Sequence, residues 1–412
     1  MTLMVGSLFA GVGGVCLGFR QAKLGGNRYE ICWANEIDEY AAETYRNNFN
    51  HTLIEGDIRK VLHPELINDE INELELRLEN EENLAEQNRI RRIINELRNE
   101  LINYNNMHDQ ILERRIDVLL GGFPCQAFSI AGERRGFEDD RGNLFLSIID
   151  LINQLDTIHG KPRVIFLENV KNLMSHDSGN TYRIIRERLE ECGYTIKQHV
   201  LNTCEYSTLP QNRERIYIVG FLNEEDANRF TFFEELDTYR VNLTQEERIN
   251  TIEDIINYNS TIDTHNKYYY TQEKYPRYFV TEEEFNEIPL HERKDVRIHL
   301  GEQINEMYQF YQVRRGMYVR KNQSGVCPTL TANMGTGGHN VPLILVNDGI
   351  RKITPEEAFK LQGFPIGNGY ELPTQYNRRA YSDAQLYKQA GNAVSVPIIK
   401  LLAEKILEAL QD

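Results

Sequence analysis

Apolar and polar residues change period along this chain in a way that marks its elements. Residues 4–9 are apolar, glycines crowd residues 11–14, and short apolar runs recur at 29–34 and 53–55 with amphipathic spacers between them. Strand, turn, helix and strand in that order are the signature of a parallel sheet with crossover helices. Further strands are expected at 118–121, 164–167 and 216–221, the last after a helix near 181–192. The N-terminal run lacks a basic flank or cleavage site and reads as the first core strand, not as an export signal.

Between residues 62 and 115 the period becomes helical, with apolar positions at Ile67, Ile71, Leu74 and Leu78, then at Ile90, Ile94, Leu97, Leu101 and Tyr104. The stripe loses phase across residues 79–83 (ENEEN), which predicts an antiparallel helical hairpin inserted between two sheet strands; one long helix with a broken seam is the alternative. Such an insertion reads as a docking arm or as a tolerated surface excursion, and its acidity makes it a poor clamp for DNA. From 223 to about 324 the βα alternation stops and tyrosines become frequent. The expected division is a catalytic domain over 1–222 with the insertion at 63–115, a smaller domain and hinge over 223–385, and a segment over 386–412 that returns to the first domain.

Composition narrows the class. Hydrophobic residues make up 41% and charged residues 26%, ordinary for a soluble globular protein, and no apolar run is long enough to span a bilayer, so the cytoplasm is the expected location. Six cysteines, Cys16, Cys32, Cys125, Cys192, Cys204 and Cys327, lie without a CxxC pair or a ligand-spaced histidine, which argues against a metal site and a disulfide framework. A net charge of −16 suits a nucleic-acid binder badly, because phosphate contacts need Lys and Arg. The acids are segregated, however. Residues 308–323 (YQFYQVRRGMYVRKNQ) hold Arg314, Arg315, Arg320 and Lys321 with no acid, so the local patch decides the question.

Four motifs carry candidate chemistry. FAGVGG at 9–14 places glycines directly after a strand, where backbone amides can approach a ligand; a generic tight turn would look the same. Glu36 and Asp57 end the second and third strands, suited to a ribose and an adenine edge respectively, or to plain surface caps. GGFPCQAFS at 121–129 sets Cys125 just past a strand and a proline, with the Gly-rich, charged loop 132–142 behind it as a candidate lid. A buried strand cysteine fits poorly there, because Pro124 stops ladder pairing, and a thiol at a strand end near cations can act as a nucleophile. Glu168 in ENV follows an apolar strand and could donate, if protonated, to a ring nitrogen, or could be a helix-start acid. In QNRERIYIVGF at 211–221, Arg213 and Arg215 are either solvated or suited to holding a carbonyl oxygen.

With these residues the chain resembles the cytosine-C5 DNA methyltransferase family. FAGVGG, Glu36 in NEID, Asp57 in GDI, GGFPCQAFS, GFEDDRGNLF, ENVKNLMSHDSGNT, QNRERIY, PTLTA from Pro328, RKITPEEAFKLQGFP and GNAVSVP stand in the family's order. Only the insertion and residues 223–324 lie outside the match. Ser7 departs from the Asp of many members. The resemblance implies an α/β, Rossmann-like fold dependent on S-adenosylmethionine, with a smaller target-recognition domain. It implies that Cys125 adds to C6 of a flipped cytosine, Glu168 meets N3 and the amine, Arg215 meets O2, and Arg213 holds the loop and base. Phe9, Gly11, Gly13, Gly14, Glu36, Ile37, Asp57, Ile58, Leu144, Asn392 and Ala393 match cofactor positions, and Gln126, Ser129, Arg314, Arg315, Tyr318 and Arg320 are the expected DNA contacts. Of Tyr268, Tyr269 and Tyr270, a second DNA candidate, at least one should be packed inside. Double-stranded DNA is the implied partner, with a cognate restriction endonuclease as the usual functional companion. A tRNA-methylating member and an inactive DNA-binding homologue are the alternatives.

Overall fold

The computed structural model describes residues 1–123, 144–289, 291, 297–314, 318–322, 325–336 and 340–411. Cys125, Gln126, Ser129, Arg315 and the loop 132–142 lie outside the described residues. The chain forms two compact units: residues 1–200, 215–234 and 400–412 make the first, and 201–214 with 235–399 the second. Where the sequence suggests a boundary after 222, the structure assigns 201–214 to the second unit and 215–234 to the first.

The first unit runs β1 (Thr2–Leu8), α1 (Gly14–Gln21), β2 (Lys23–Leu24), β3 (Asn27–Glu36), α2 (Glu39–Arg46), β4 (Thr52–Glu55), α3 (Ile58–Leu62), α4 (Glu65–Glu79), α5 (Leu84–Leu112), β5 (Val118–Gly121), α6 (Leu144–Ile158), β6 (Val164–Val170), α7 (Asn180–Glu191), β7 (Thr195–Asn202) and β8 (Glu214–Phe221). Among the described residues it holds an eight-stranded sheet in the order β2-β3-β1-β5-β6-β8-β7, with β4 also on β3. Strands β5 and β6 are buried on both faces, as the continuous apolar runs VLLG and VIFL require of central parallel strands. Helix α6 buries Phe145, Ile148, Leu151, Ile152 and Leu155, a stripe at helical spacing that faces this core.

Pairing is parallel for β4 with β3, β3 with β1, β1 with β5, and β5 with β6. The parallel expectation fails at β2, which is antiparallel to β3, and at β8, which is antiparallel to β6. For β8 the cause is the connection. Residues 203–213 join β7 to β8 with a single four-residue helix, Thr203–Tyr206, and no helix long enough to recross the sheet, which suits a direct return and not a parallel crossover.

The insertion is the expected hairpin. Asn83 caps α5 by accepting hydrogen bonds from the amides of Ala85 and Glu86. Ile67, Ile71, Ile90, Ile94 and Leu97 form a seam of their own. Exposed ion pairs from Arg98 to Glu75 at 2.6 Å and from Arg77 to Glu86 at 2.9 Å join the two helices across the antiparallel seam. The second half of α5 is different: Tyr104, Met107, Ile111 and Leu112 pack on the main core of the sheet.

The second unit carries an antiparallel sheet of β9 (Tyr311–Arg314), β10 (Tyr318–Lys321), β11 (Leu343–Val346) and β12 (Gly349–Lys352) in the order β10-β9-β11-β12. Tyr268, Tyr269 and Tyr270 are all buried, because the segment is a short 3-10 turn and an isolated bridge in place of a strand. They are packing residues and not a surface for DNA. Arg351 is fully buried and bonds Glu357 bidentately at 2.7 and 2.8 Å, with Ser260 Oγ and the carbonyls of Asn257 and Lys352 taking its other donors. A buried ion pair repays its desolvation only with such additional bonds.

The hairpin seam sets an expected contrast. Ile94→Ala should destabilise by roughly 2–4 kcal/mol through the cavity it leaves. Leu76→Ala, on a residue 63% exposed, should change stability by less than about 0.5 kcal/mol. Guanidinium unfolding of both variants checks this, and equal effects would contradict the seam.

Candidate active site

The parallel register brings the candidate residues of the first unit to one edge of its sheet. Leu8 pairs with Gly121, Gly121 with Leu167 and Glu36 with Glu55, so the loops after all these strands leave on the same side. Open α/β sheets bind ligands at that carboxyl edge.

After β1 the chain turns sharply. Phe9 has φ 55°, Gly11 φ 56° and Gly13 φ 83°. A non-glycine residue held in this region is strained, and such strain gathers at functional turns. A Cβ on Gly13 would lie 2.3 Å from the Phe49 ring, whereas the space over Gly11 is open to 4 Å. Gly13 is thus required by packing, and Gly11 leaves backbone exposed to an incoming group. Gly14 is buried as the first residue of α1.

Glu36 is 8% exposed and folds back over this turn. Its Oε2 accepts the Gly11 amide at 2.7 Å, and its Oε1 accepts the amides of Ile37 and Asp38 at 2.9 and 2.8 Å. Burial pushes the carboxyl pKa up against these bonds. A carboxylate has about four acceptor positions, so the three amides leave Oε2 able to take one hydroxyl. Ile37 beside it is 67% exposed, an apolar surface next to a polar anchor. Asp57 caps α3 through the Arg59 amide at 3.0 Å and pairs with the Arg59 guanidinium, and despite a desolvation cost its carboxyl is held below the usual range by these bonds. Ile58 is a core side chain, which leaves its amide, in the first turn of α3, as the group it can offer. Leu144 opens α6, partly buried on the core.

Glu168 ends β6, with Arg215 entering β8 beside it. In the antiparallel ladder Glu168 faces Tyr217 and Val170 faces Arg215, so Arg215 is the diagonal neighbour of Glu168 on one face. Arg215 Nε lies 3.0 Å from Glu168 Oε1, with side-chain exposures of 13% and 11%. Glu168 Oε2 lies 3.7 Å from where a Cβ on Gly122 would stand. The neighbouring Asn169, not singled out from sequence, donates from Nδ2 to the carbonyl of Phe123 at 2.7 Å and accepts the Val170 amide. It therefore pins the end of the strand segment that leads into Pro124 and Cys125. Asn35 is a second such residue, donating to the carbonyls of Ile54 and Gly56 at 3.0 and 2.9 Å. Their signal in the sequence is an amide side chain at the end of an apolar run, adjacent to the carboxylate of a motif.

Arg213 belongs to the second unit, as do Asn392 and Ala393. Its guanidinium is buried and donates to the carbonyls of Leu330 at 2.8 Å, Gly391 at 3.2 Å and Ala393. Those bonds tie the PTLTA and GNA segments together. Asn392 itself is exposed. In the β9–β10 hairpin, Tyr318 pairs with Arg314 and Arg320 with Gln312, which puts these four side chains on one face, while Val313 and Val319 face the core. Tyr318 is 53% exposed.

The whole chain matches one family. The model of C-5 cytosine-specific DNA methylases aligns with residues 3–74 and 78–408. The chain belongs to that family. It is 41% identical over 409 residues to the Type II methyltransferase M.Bsp6I of Bacillus sp. (strain RFL6), covering 99% of each protein. It is 32% identical over 408 residues to M.HpaII of Haemophilus parainfluenzae, covering 98% of this chain and 88% of the relative. In fold it is similar to the S. pombe Dnmt2 methyltransferase, at 16% identity and a TM-score of 0.57 over the full length of both chains. This C5 methylase is a DNA cytosine-5-methyltransferase with the Rossmann-like fold of such enzymes, and its substrate is DNA. Among the described residues no helix is long and apolar enough to cross a membrane.

C5 methylases in general depend on S-adenosylmethionine, and the residues at this edge fit a nucleoside. The open backbone at Gly11, one acceptor left on Glu36 and the exposed Ile37 supply a close approach, a hydroxyl anchor and an apolar face. Gly13→Ala should cost about 1–2 kcal/mol from its left-handed φ alone, more with Phe49 displaced, and weaken S-adenosylmethionine binding at least about tenfold. Thermal unfolding with and without S-adenosylmethionine reads both effects. A variant with wild-type stability and an undiminished ligand shift would contradict this account of the turn.

Proposed function

We propose that this methyltransferase modifies C5 of one cytosine within a specific duplex sequence, with Cys125 as its nucleophile and S-adenosylmethionine as its donor. The observation that carries the reading is the Glu168–Arg215 pair, 3.0 Å apart at the carboxyl edge. O2 and N3 of cytosine are adjacent across C2, so a carboxyl and a guanidinium this close suit that edge of the ring. Glu168 would meet N3 and the exocyclic amine, and Arg215 would meet O2.

The Cys125 thiolate adds to C6, and electron density displaced by the new S–C bond develops over C5, N3 and O2. Glu168 and Arg215 stabilise that charge from fixed positions, which is where preorganised groups contribute most. S-adenosylmethionine supplies an electrophilic methyl group to C5. Loss of the C5 proton to a base, water in this reading, then expels the Cys125 thiolate by β-elimination and restores the ring. Asn169 holds the Phe123 carbonyl two residues before Cys125, and Arg213 fastens its own segments; both are positioning residues. Glu36, Ile37 and Asp57, with the amides after Phe9 and the Ile58 amide, would hold the nucleoside of the donor, and Leu144, Asn392 and Ala393 stay cofactor candidates on the family's pattern.

A cytosine within a helix cannot reach a strand-end thiol, so the base must be flipped out. Arg314, Tyr318 and Arg320 on one face of the β9–β10 hairpin, with Arg315, Gln126 and Ser129, are the proposed contacts to DNA. Relatives named Type II methyltransferases support a protective role opposite a restriction endonuclease, in the bacterial cytoplasm where the chromosome lies.

Duplex DNA with 5-fluorocytosine at the target should form a covalent complex, stable on a denaturing gel, because fluorine at C5 cannot leave as a proton. Cys125→Ala should form none while still retarding DNA in a native gel. Methyl transfer by Cys125→Ala at the wild-type rate would overturn the covalent mechanism.

A further inference from the structure

The turn that presents Asp57 is held from behind by a side chain of the insertion. Tyr104 lies on α5, and its hydroxyl accepts a long hydrogen bond of 3.4 Å from the Asp57 amide. Its ring occupies the space beside Gly56: a Cβ there would lie 3.1 Å from Tyr104 Cε1 and 3.2 Å from Met107 Sδ. The sheet holds the other sides of the same turn. The Gly56 amide donates to the Glu36 carbonyl at 3.2 Å, and Asn35 holds the Gly56 carbonyl. One helical turn before Tyr104, Glu100 takes Lys60 Nζ at 2.7 Å, and that ammonium stands 5.8 Å from the Tyr104 ring centroid. Helix α3 and the turn that starts it are therefore both tied to one stretch of α5.

A merely tolerated excursion needs only that its ends meet and its own surface be satisfied. The outer part of the hairpin does this with its own seam. The stretch from Glu100 to Met107 does more, since it packs on the turn at Gly56 and Asp57, between β4 and α3, which leads into the Asp57 carboxylate and the Ile58 amide, both read as nucleoside contacts. We infer that Tyr104 is a positioning residue of the cofactor site and that the insertion, through α5, sets affinity for the nucleoside part of the methyl donor. This rests on the reading of Glu36, Asp57 and Ile58 as nucleoside contacts.

The test is calorimetric titration of S-adenosylmethionine into the full chain without DNA, for the wild type and for Tyr104→Phe, Tyr104→Ala, Gly56→Ala and Gly56→Ala/Tyr104→Ala. Loss of the hydroxyl alone should weaken binding by roughly 2–5-fold and loss of the ring by about tenfold, the range that one hydrogen bond and its packing supply. Gly56→Ala should weaken binding by pushing on the ring, and the double variant should lose less than the product of the singles, because the two residues share one contact. Ile102→Ala, on the same helix but 60% exposed, should bind as the wild type does. In steady state the Tyr104 variants should raise KM for S-adenosylmethionine and leave kcat and KM for DNA within about twofold. Tyr104 variants that melt earlier yet bind S-adenosylmethionine as tightly as a binding wild type would overturn this inference alone. A wild-type chain that fails to bind it would overturn the nucleoside reading, and the inference with it.

Discussion

The reversal of β8 is the constraint on which the proposed catalytic edge depends. A strand parallel to β6 would begin at the amino edge of the sheet and carry its first residues away from the ligand side. Antiparallel β8 begins at the carboxyl edge instead, so Arg215 enters the sheet diagonal to Glu168. Parallel register does the rest, because Leu8, Glu36, Glu55, Gly121 and Leu167 reach one edge together. Rigid strand ends then aim short turns, and the chemistry is assembled from residues far apart in sequence.

Most of this edge is legible in the sequence because its parts are local. Glycines after an apolar run, an acid at the end of the next and a cysteine after a Gly-Gly-Phe-Pro each have a short-range reason to stand where they do. The strand reversal is not local, and alternating apolar runs cannot report direction. Arg213 and Arg215 show a second limit. Their spacing of two suggests one shared face, yet Glu214 opens β8 between them. Arg215 lies within the ladder, while Arg213 is spent on the carbonyls of Leu330, Gly391 and Ala393. The three adjacent tyrosines show the same limit: strand alternation requires at least one to be packed inside, and a turn with an isolated bridge buries all three.

Outside the catalytic edge, polar burial marks what each unit must keep fixed. Arg351 and Glu357 brace the second unit around Asn257 and Ser260, close in sequence to the tyrosine segment and β12. The same unit leaves Gln312, Arg314, Tyr318 and Arg320 on the outer face of a hairpin whose inner face is apolar. The net charge of −16 does not describe the field at this hairpin, because acids crowd the insertion whereas residues 308–323 hold four basic residues and no acid. The insertion divides along its length, with an outer hairpin that satisfies itself and an inner end that belongs to the sheet.

The central claim is that this fold methylates C5 of a chosen cytosine in duplex DNA. Bisulfite sequencing of chromosomal DNA from cells expressing the protein tests it most directly, since it reports base, strand and sequence context at once. The expected result is near-complete protection of one cytosine within one short recurring sequence, absent from cells without the protein. Folded, expressed protein with no protected cytosine in any context would contradict the account.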